Sequence, residues 1–503
     1  MTPPSTRYLV LGLDGGTFDL LDPLMAAGKL PFLARLVQGG LSARLTSVYP
    51  PKTIPAWYSF ATGLDPGTLG IYGFTEPDGG PGRSRLVQTY RPAEAIWDAL
   101  SRQGRRVGVV NFPIRNPYPV NGFFVPGMFA DQPATFPAEL AGSLNKLVGE
   151  RYLPELPPYR ANGRSAWMEL ANRAVRQRAR MSEALIERFD PEFLFVLFRE
   201  TDRIEHQHWA ELARSPGEIP PDLLDFWLEV DRACAAVDAS FRGRGGPAVT
   251  LVISDHGHGA AGTDFFTNRW LLDRGYLKFK TARSSRRRRL ASRVLVTLDK
   301  FGPARKLLAP IADRLQGGPR REQFARFVTG DASFETMAKQ IDWESTVAYS
   351  YPVPEAIYFN PYNPTLTPER QVRLGREIRT ALEAYREADI EVFEPKDLYR
   401  SVAGTRAPAL LLRINALETE SRMDFSYPEA MLHHRPGYFY GTGVHRMDGI
   451  LIASGEGVPA SGRAARPYSL LDIAPTVLEG MSLPIPRGMA GSSFAPALGH
   501  GAG

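Results

Sequence analysis

Four short segments, Tyr8–Leu13, Arg106–Asn111, Phe193–Phe198 and Ala248–Ile253, carry the pattern that most restricts this fold: they are apolar runs without polar–apolar alternation. A strand with one solvated face alternates. A strand buried on both faces does not, and chains bury both faces in a mostly parallel sheet covered by helices. Segments of helical character near Pro31–Gln38, Ala93–Gln103, Ala166–Arg188 and Leu223–Ala239 fall between these runs. The alternation predicts an α/β fold, a sandwich with a mostly parallel central sheet flanked by helices. Gly449–Ser454 reads as a further strand and Leu470–Leu478 as a closing helix.

At 503 residues and 43% hydrophobic content, the chain can bury a sizeable core in more than one domain. Its formal charge of +6 is mild, and positive residues concentrate only in Arg283 to Arg293, so no nucleic-acid partner is expected. The single cysteine, Cys234, excludes an intramolecular disulfide and a cysteine-based zinc finger. The first residues show no basic segment leading into an apolar run, and no apolar stretch approaches the roughly 20 residues that span a bilayer. A cytoplasmic protein is the expectation.

From about Lys280 to Tyr440 the rhythm changes. This stretch is expected to be an inserted cap, residues 280–440, between a first part of the core at 1–279 and its C-terminal part at 441–503. A helix at Pro368–Tyr385 and strands at Ile390–Phe393 and Leu410–Ile414 are expected within it. Near its start, the arginines of 283–289 lead into Leu290, Val294, Leu298 and Phe301 at helical spacing. Such a segment is a solvated part of the cap, a helix whose apolar face packs onto the core, or a weak contact with an anionic membrane. Glu76 to Gly82 reads as a loop by composition.

The chemistry concentrates at strand ends. Asp14 follows the first strand and precedes Gly15 and Gly16; Asp202 and Asp255 stand just beyond two other strands. In open α/β sheets, ligands bind outside the carboxyl ends of the strands. Taken singly, each aspartate reads equally well as a turn residue. Asp202 and His206 share a helix face at a spacing of four, which an ordinary surface pair would also satisfy. Asp255 and His256 are adjacent and followed by Gly257 and Gly259, which permit close backbone approach. His258 and His208 read as supporting or solvent-facing groups, and His445 is weak by itself. A mixed Asp/His set suits a borderline divalent cation such as zinc. Thr53 precedes an apparent helix ending at Gly63, where free N–H groups favour an anionic phosphate. The plain alternative is an N-cap threonine.

Together these motifs resemble the alkaline phosphatase superfamily, in its type I phosphodiesterase/nucleotide pyrophosphatase-like branch. The matching pieces are Leu13–Gly16, Lys52–Trp57, Thr62–Gly67, Thr201–His206, Ser254–Gly257, Val444–Gly449 and Leu471–Thr476. The resemblance implies an alkaline-phosphatase-like sandwich and two divalent metal ions, zinc first and manganese as the alternative. One ion is then held by Asp202, His206 and His445, the other by Asp14, Asp255 and His256 with Thr53 beside it. Thr53 is then the nucleophile toward a small-molecule phosphate ester, forming a phospho-threonine intermediate. Nucleotide pyrophosphatases carry an Asn after a His-Gly-Ile stretch to hold a phosphoryl oxygen; Leu69 to Phe74 contains neither that His nor that Asn. Sulfatases of the superfamily use Cys-x-Pro-x-Arg, where this chain has Thr53 and Trp57.

The leading expectation is a metal-dependent phosphodiesterase. The alternatives are a phosphomonoesterase or phosphotransferase on the same site, or a catalytically idle metal-binding protein.

Overall fold

The structure, a computed structural model, describes residues 6–87, 93–128, 134–157, 159, 163–280, 338–404, 406–423, 429–433 and 441–499. These form two compact units: residues 1–74, 87–260 and 442–503 make up the first, residues 75–86 and 261–441 the second. The expected cap at 280–440 falls within the second unit, which also takes in 261–279 and 75–86. The basic run Arg283 to Arg293 and the apolar positions that follow it lie outside the described residues.

The first unit is built on strands β1 (Arg7–Leu13), β2 (Leu41–Thr46), β3 (Val107–Phe112), β4 (Gly122–Pro126), β5 (Phe193–Phe198) and β6 (Ala248–Ile253). A small ribbon, β7 (Gly257–Ala260) with β8 (Gly443–Arg446), and a long strand, β9 (Asp448–Gly455), complete its main elements. The sheet runs β2-β9-β6-β1-β5-β3-β4, with short strands at Gly462–Arg463 and Tyr468–Ser469 pairing with β2. From β6 to β4 every pairing is parallel; β9 is antiparallel to both β6 and β2.

Side chains alternate along each central strand between two buried cores. Leu9, Leu11 and Leu13 of β1 enter one core, with Leu194, Val196 and Phe198 of β5. Tyr8 and Val10 enter the other, with Phe193, Phe195 and Leu197. This explains the absence of alternation in the sequence, since both faces are apolar. The first core is closed by α1 (Phe18–Ala26), α2 (Pro31–Gln38), the long α5 (Arg164–Phe189) and α7 (Pro221–Arg242). The second is closed by α3 (Thr53–Thr62), α4 (Ile96–Arg102) and α8 (Ile473–Gly480). The expected α/β sandwich is the observed one. Helix α6 (Glu200–Leu212) begins directly beyond β5.

In the second unit, Ala348–Tyr349, Ala356–Phe359, Leu410–Ile414 and Ile390–Phe393 form an antiparallel sheet, and Pro368–Glu383 is a helix. Glu76 and Pro77 depart from the expected loop: they pair with Arg85 and Ser84 in a two-stranded hairpin. The Glu76 carboxylate is gripped by Arg85 and by Arg406, a partner 330 positions away that composition cannot reveal. Among the described residues, no helix is long and apolar enough to cross a membrane.

Candidate metal centre

Because β6, β1 and β5 are adjacent and parallel, their carboxyl ends lie side by side on one edge of the sheet. Asp14 leaves β1, Asp255 and His256 leave β6, and Asp202 stands in the first turn of α6 after β5. The β7–β8 ribbon sets His445 opposite His258. All seven residues expected at the site lie in the first unit.

Asp202, His206 and His445 converge atom to atom. Asp202 Oδ1 lies 3.3 Å from His206 Nε2 and 3.2 Å from His445 Nε2, and the two nitrogens are 2.9 Å apart. Tetrahedral coordination with bonds of about 2.0–2.1 Å puts ligand atoms roughly 3.3 Å from one another. The other ring nitrogens are committed: His206 Nδ1 is 3.0 Å from the Gly443 carbonyl and His445 Nδ1 2.7 Å from the Pro51 carbonyl. A carbonyl only accepts, so Nδ1 of each ring carries a proton and Nε2 is the atom left to face Asp202. Two Nε2 atoms 2.9 Å apart beside a carboxylate oxygen call for one positive charge among them, which a shared proton or a divalent cation supplies.

The second set follows the same logic. Asp14 Oδ2 accepts from Trp57 Nε1 at 3.1 Å, Asp255 Oδ1 from the Gly15 amide at 3.2 Å, and His256 Nδ1 faces the Gly257 carbonyl at 3.1 Å. Their remaining atoms, Asp14 Oδ1, Asp255 Oδ2 and His256 Nε2, are buried without hydrogen-bond partners. His256 Nε2 stands 3.6 Å from Asp14 Oδ1 and 3.2 Å from Asp255 Oδ2. Buried polar atoms left unpaired are costly, and a divalent cation satisfies all three at once. Both donor sets fit such an ion.

Electrostatics agree. Burial, then the charge of Asp202, pushes the Asp14 carboxyl well above the usual carboxylate range; burial, then Asp14, does the same to Asp255. Burial holds the His256 and His258 imidazoles well below their ordinary values. For Asp202 burial acts upward, but His206, His445 and His258 outweigh it and hold the carboxyl well below its usual range. Neutral imidazoles and crowded carboxylates are the state that cation binding rewards.

Thr53 is buried and opens α3, while Lys52 occupies the N-cap, so the capping role is not the one Thr53 plays. Trp57, one helical turn on, shares its face and reaches Asp14. On the other side, Pro51 bonds His445. The two flanks of Thr53 therefore touch one member of each donor set.

One side chain at this site, Glu205, was not among the expected ones, and His258 takes the supporting place of the two expected for it. Glu205 is fully buried with neither oxygen hydrogen-bonded, and its Oε2 lies 3.1 Å from His258 Nδ1, which is in turn 3.9 Å from Asp202 Oδ1. His258 is thus buried at the site and not solvent-facing; Asp202, His256, His258 and His445 can together direct one ligand atom each at a common point. Periodicity held the signal: Glu205 is three residues from Asp202 on a helix, and His258 two from His256. His208 is buried elsewhere on α6, bonded to Glu211 at 2.9 Å. Gly15 has φ +76°, and a Cβ there would come within 2.7 Å of both Glu205 Oε2 and His258 Nδ1, so only glycine fits.

The sequence profile of the type I phosphodiesterase / nucleotide pyrophosphatase family matches residues 8–348, more than half of the chain. The chain belongs to this family. It is accordingly a phosphoryl hydrolase of the alkaline phosphatase superfamily. No curated protein matches it in sequence. Among solved structures, alkaline phosphatase PafA is similar at 14% identity and TM-score 0.58, over 99% of this chain and 100% of that one. Human ectonucleotide pyrophosphatase / phosphodiesterase 5 is similar at 13% identity and TM-score 0.52, over 97% and 98%. Phosphonoacetate hydrolase from Sinorhizobium meliloti 1021, in complex with phosphonoformate, is similar at 16% identity and TM-score 0.51, over 95% and 96%. At these identities the likeness is one of fold.

Proposed function

We propose that this family member hydrolyses small phosphoric diesters with Thr53 as nucleophile at a two-cation centre. One ion is assigned to Asp202, His206 and His445, the other to Asp14, Asp255 and His256, with Thr53 beside it. Zinc suits the mixed nitrogen and oxygen donors, and manganese is the alternative. The observation that carries this reading is the triangle of Asp202 Oδ1, His206 Nε2 and His445 Nε2, with edges of 2.9–3.3 Å.

When bound, the cations supply Lewis-acid neutralisation of phosphoryl oxygens and lower the pKa of a hydroxyl or water held there. The Thr53 hydroxyl, with its proton lost, attacks phosphorus in line; the Thr53 Oγ1–P bond forms as the bond to the leaving alkoxide breaks. Water then attacks the phospho-threonine, the Oγ1–P bond breaks, and the phosphate monoester departs as Thr53 regains a proton. Asp14 and Asp255 are held in place by Trp57 and by the Gly15 amide, so little reorganisation is needed as charge develops. The choice of diester rests on the absence of an arginine clamp in the Thr53 motif, and Arg199, 4.0 Å from Asp14 Oδ2, is shared with Glu155 at 3.8 Å.

The test is elemental analysis together with turnover of bis(4-nitrophenyl) phosphate and 4-nitrophenyl phosphate. About two ions per chain and a higher kcat/KM for the diester are expected. Thr53→Ala should lower kcat by roughly a thousandfold or more with both ions retained. Activity within about tenfold of wild type, roughly 1.4 kcal/mol in barrier, refutes the nucleophile assignment.

A further inference from the structure

The second unit contains a cavity of about 820 Å³, lined by residues that have no role in the metal centre. That volume lies within the roughly 300–1,000 Å³ of small-molecule sites. Its lining is unbalanced in charge: Arg83, Arg376, Lys396 and Arg406 stand against the single carboxylate of Glu394. Lys396 is satisfied by Glu394 at 2.7 Å and Arg406 by Glu76 at 3.0 Å. Arg83 and Arg376 have no carboxylate partner among the described residues.

Five aromatic side chains, Tyr349, Tyr351, Tyr358, Phe359 and Tyr362, also line it. The rings of Tyr349 and Tyr358 stack at 5.9 Å and 25°, and the Tyr351 hydroxyl is fixed by Ser84 Oγ at 2.6 Å. Four large hydrophobic side chains are exposed among the described residues, and two of them, Tyr362 and Val372, line this cavity. Exposed apolar surface gathered in a concavity marks a binding site more than scattered exposure does. Gly375 also lines it, in the interior of the helix Pro368–Glu383, where glycine costs about 1 kcal/mol relative to alanine. A Cβ at that position would stand 3.4 Å from the ring of Phe359, another lining residue, so a larger side chain there would crowd this part of the wall.

We propose that this cavity binds a phosphate carried on a planar ring system, the class to which nucleoside monophosphates and aryl phosphates belong. The ring packs on the tyrosines, and the anion takes the guanidinium forks of Arg83 and Arg376, whose geometry matches phosphate oxygens. This assignment does not depend on the two-cation reading, because its residues are separate from the metal donors.

The test uses the full-length protein stripped of metal by a chelator and titrated calorimetrically with adenosine monophosphate and phenyl phosphate at low salt. Both are expected to bind with Kd below about 1 mM. The paired substitution Arg83→Ala and Arg376→Ala should weaken them at least tenfold, and Gly375→Leu should block them by filling the wall. Asp255→Asn should leave this binding unchanged, which separates the cavity from the metal centre. Circular dichroism confirms that each variant is folded, and the arginine pair, exposed at the rim, serves as the test if Gly375→Leu does not fold. Three outcomes overturn the proposal: no binding of either probe, equal binding by inorganic phosphate, or binding that survives the arginine pair, whatever Asp255→Asn does.

Discussion

Replacing Trp57 with phenylalanine removes one hydrogen-bond donor from the centre while keeping a ring in the core. Trp57 Nε1 donates to Asp14 Oδ2 at 3.1 Å, and its ring packs edge-on against Phe60 and Phe195 at 5.6 and 5.4 Å. A hydrogen bond to a carboxylate contributes about 1.5–3 kcal/mol. Without it Asp14 keeps Arg199 as a neighbour at 4.0 Å, too far for a hydrogen bond, and its carboxylate is free to turn away from His256 and Asp255. At 1.4 kcal/mol per decade, that loss corresponds to roughly 10- to 150-fold in the affinity for an ion on Asp14, Asp255 and His256. The figure agrees with the roughly 10- to 100-fold typical of groups that orient metal ligands. The assay is competition for zinc against a chromophoric chelator. It is run in wild type and in a His206→Ala background, where the Asp14 set is the intact one. Trp57→Phe should weaken zinc in that background by the stated factor and leave the Asp202 set of the single variant within about threefold. Unchanged affinity in the His206→Ala background, or equal losses at both sets, refutes the orienting role. Urea unfolding reads the separate cost of the smaller ring.

His206→Ala and His256→Ala should each lose one ion and most activity, while His208→Ala, whose imidazole is occupied with Glu211, should retain two ions by elemental analysis; equal loss in all three refutes the donor assignment. Zinc binding to the stripped protein should release protons, because burial raises Asp14 and Asp255 while His256 is held neutral. The sign follows: as pH falls, more of these carboxyls are protonated and must ionise on binding, so zinc affinity should rise with pH. Calorimetry in buffers of different ionisation enthalpy checks this, and affinity that is flat or falls with pH refutes it. Replacing Arg286 to Arg289 with serine should abolish sedimentation with anionic vesicles at low salt and leave turnover of a soluble ester unchanged. Absence of vesicle binding in wild type leaves the run without a membrane role.

What the sequence determined by itself was local. Runs such as Phe193–Phe198 and Ala248–Ile253 match the observed strands residue for residue, because burial on both faces is written into composition. Asp14 and Asp255 were legible as chemistry because their positions, just past such strands, are defined by near neighbours in the chain. Strands β2 and β4, Leu41–Thr46 and Gly122–Pro126, were not legible: short and more mixed in composition, they are specified by the partners they pair with. The convergence of His206 and His445, 239 positions apart, is likewise a product of the β7–β8 ribbon and not of either segment. Glu205 and His258 carried a periodic hint, yet only packing against Gly15 and Asp202 brings them to the site. The cavity is tertiary throughout, since Arg83 and Arg376 line one space only when a hairpin and a helix nearly 300 residues apart come together. The apolar pattern of a buried strand is local enough to be read along the chain, whereas strand pairing and the meeting of distant donors are decided by the fold.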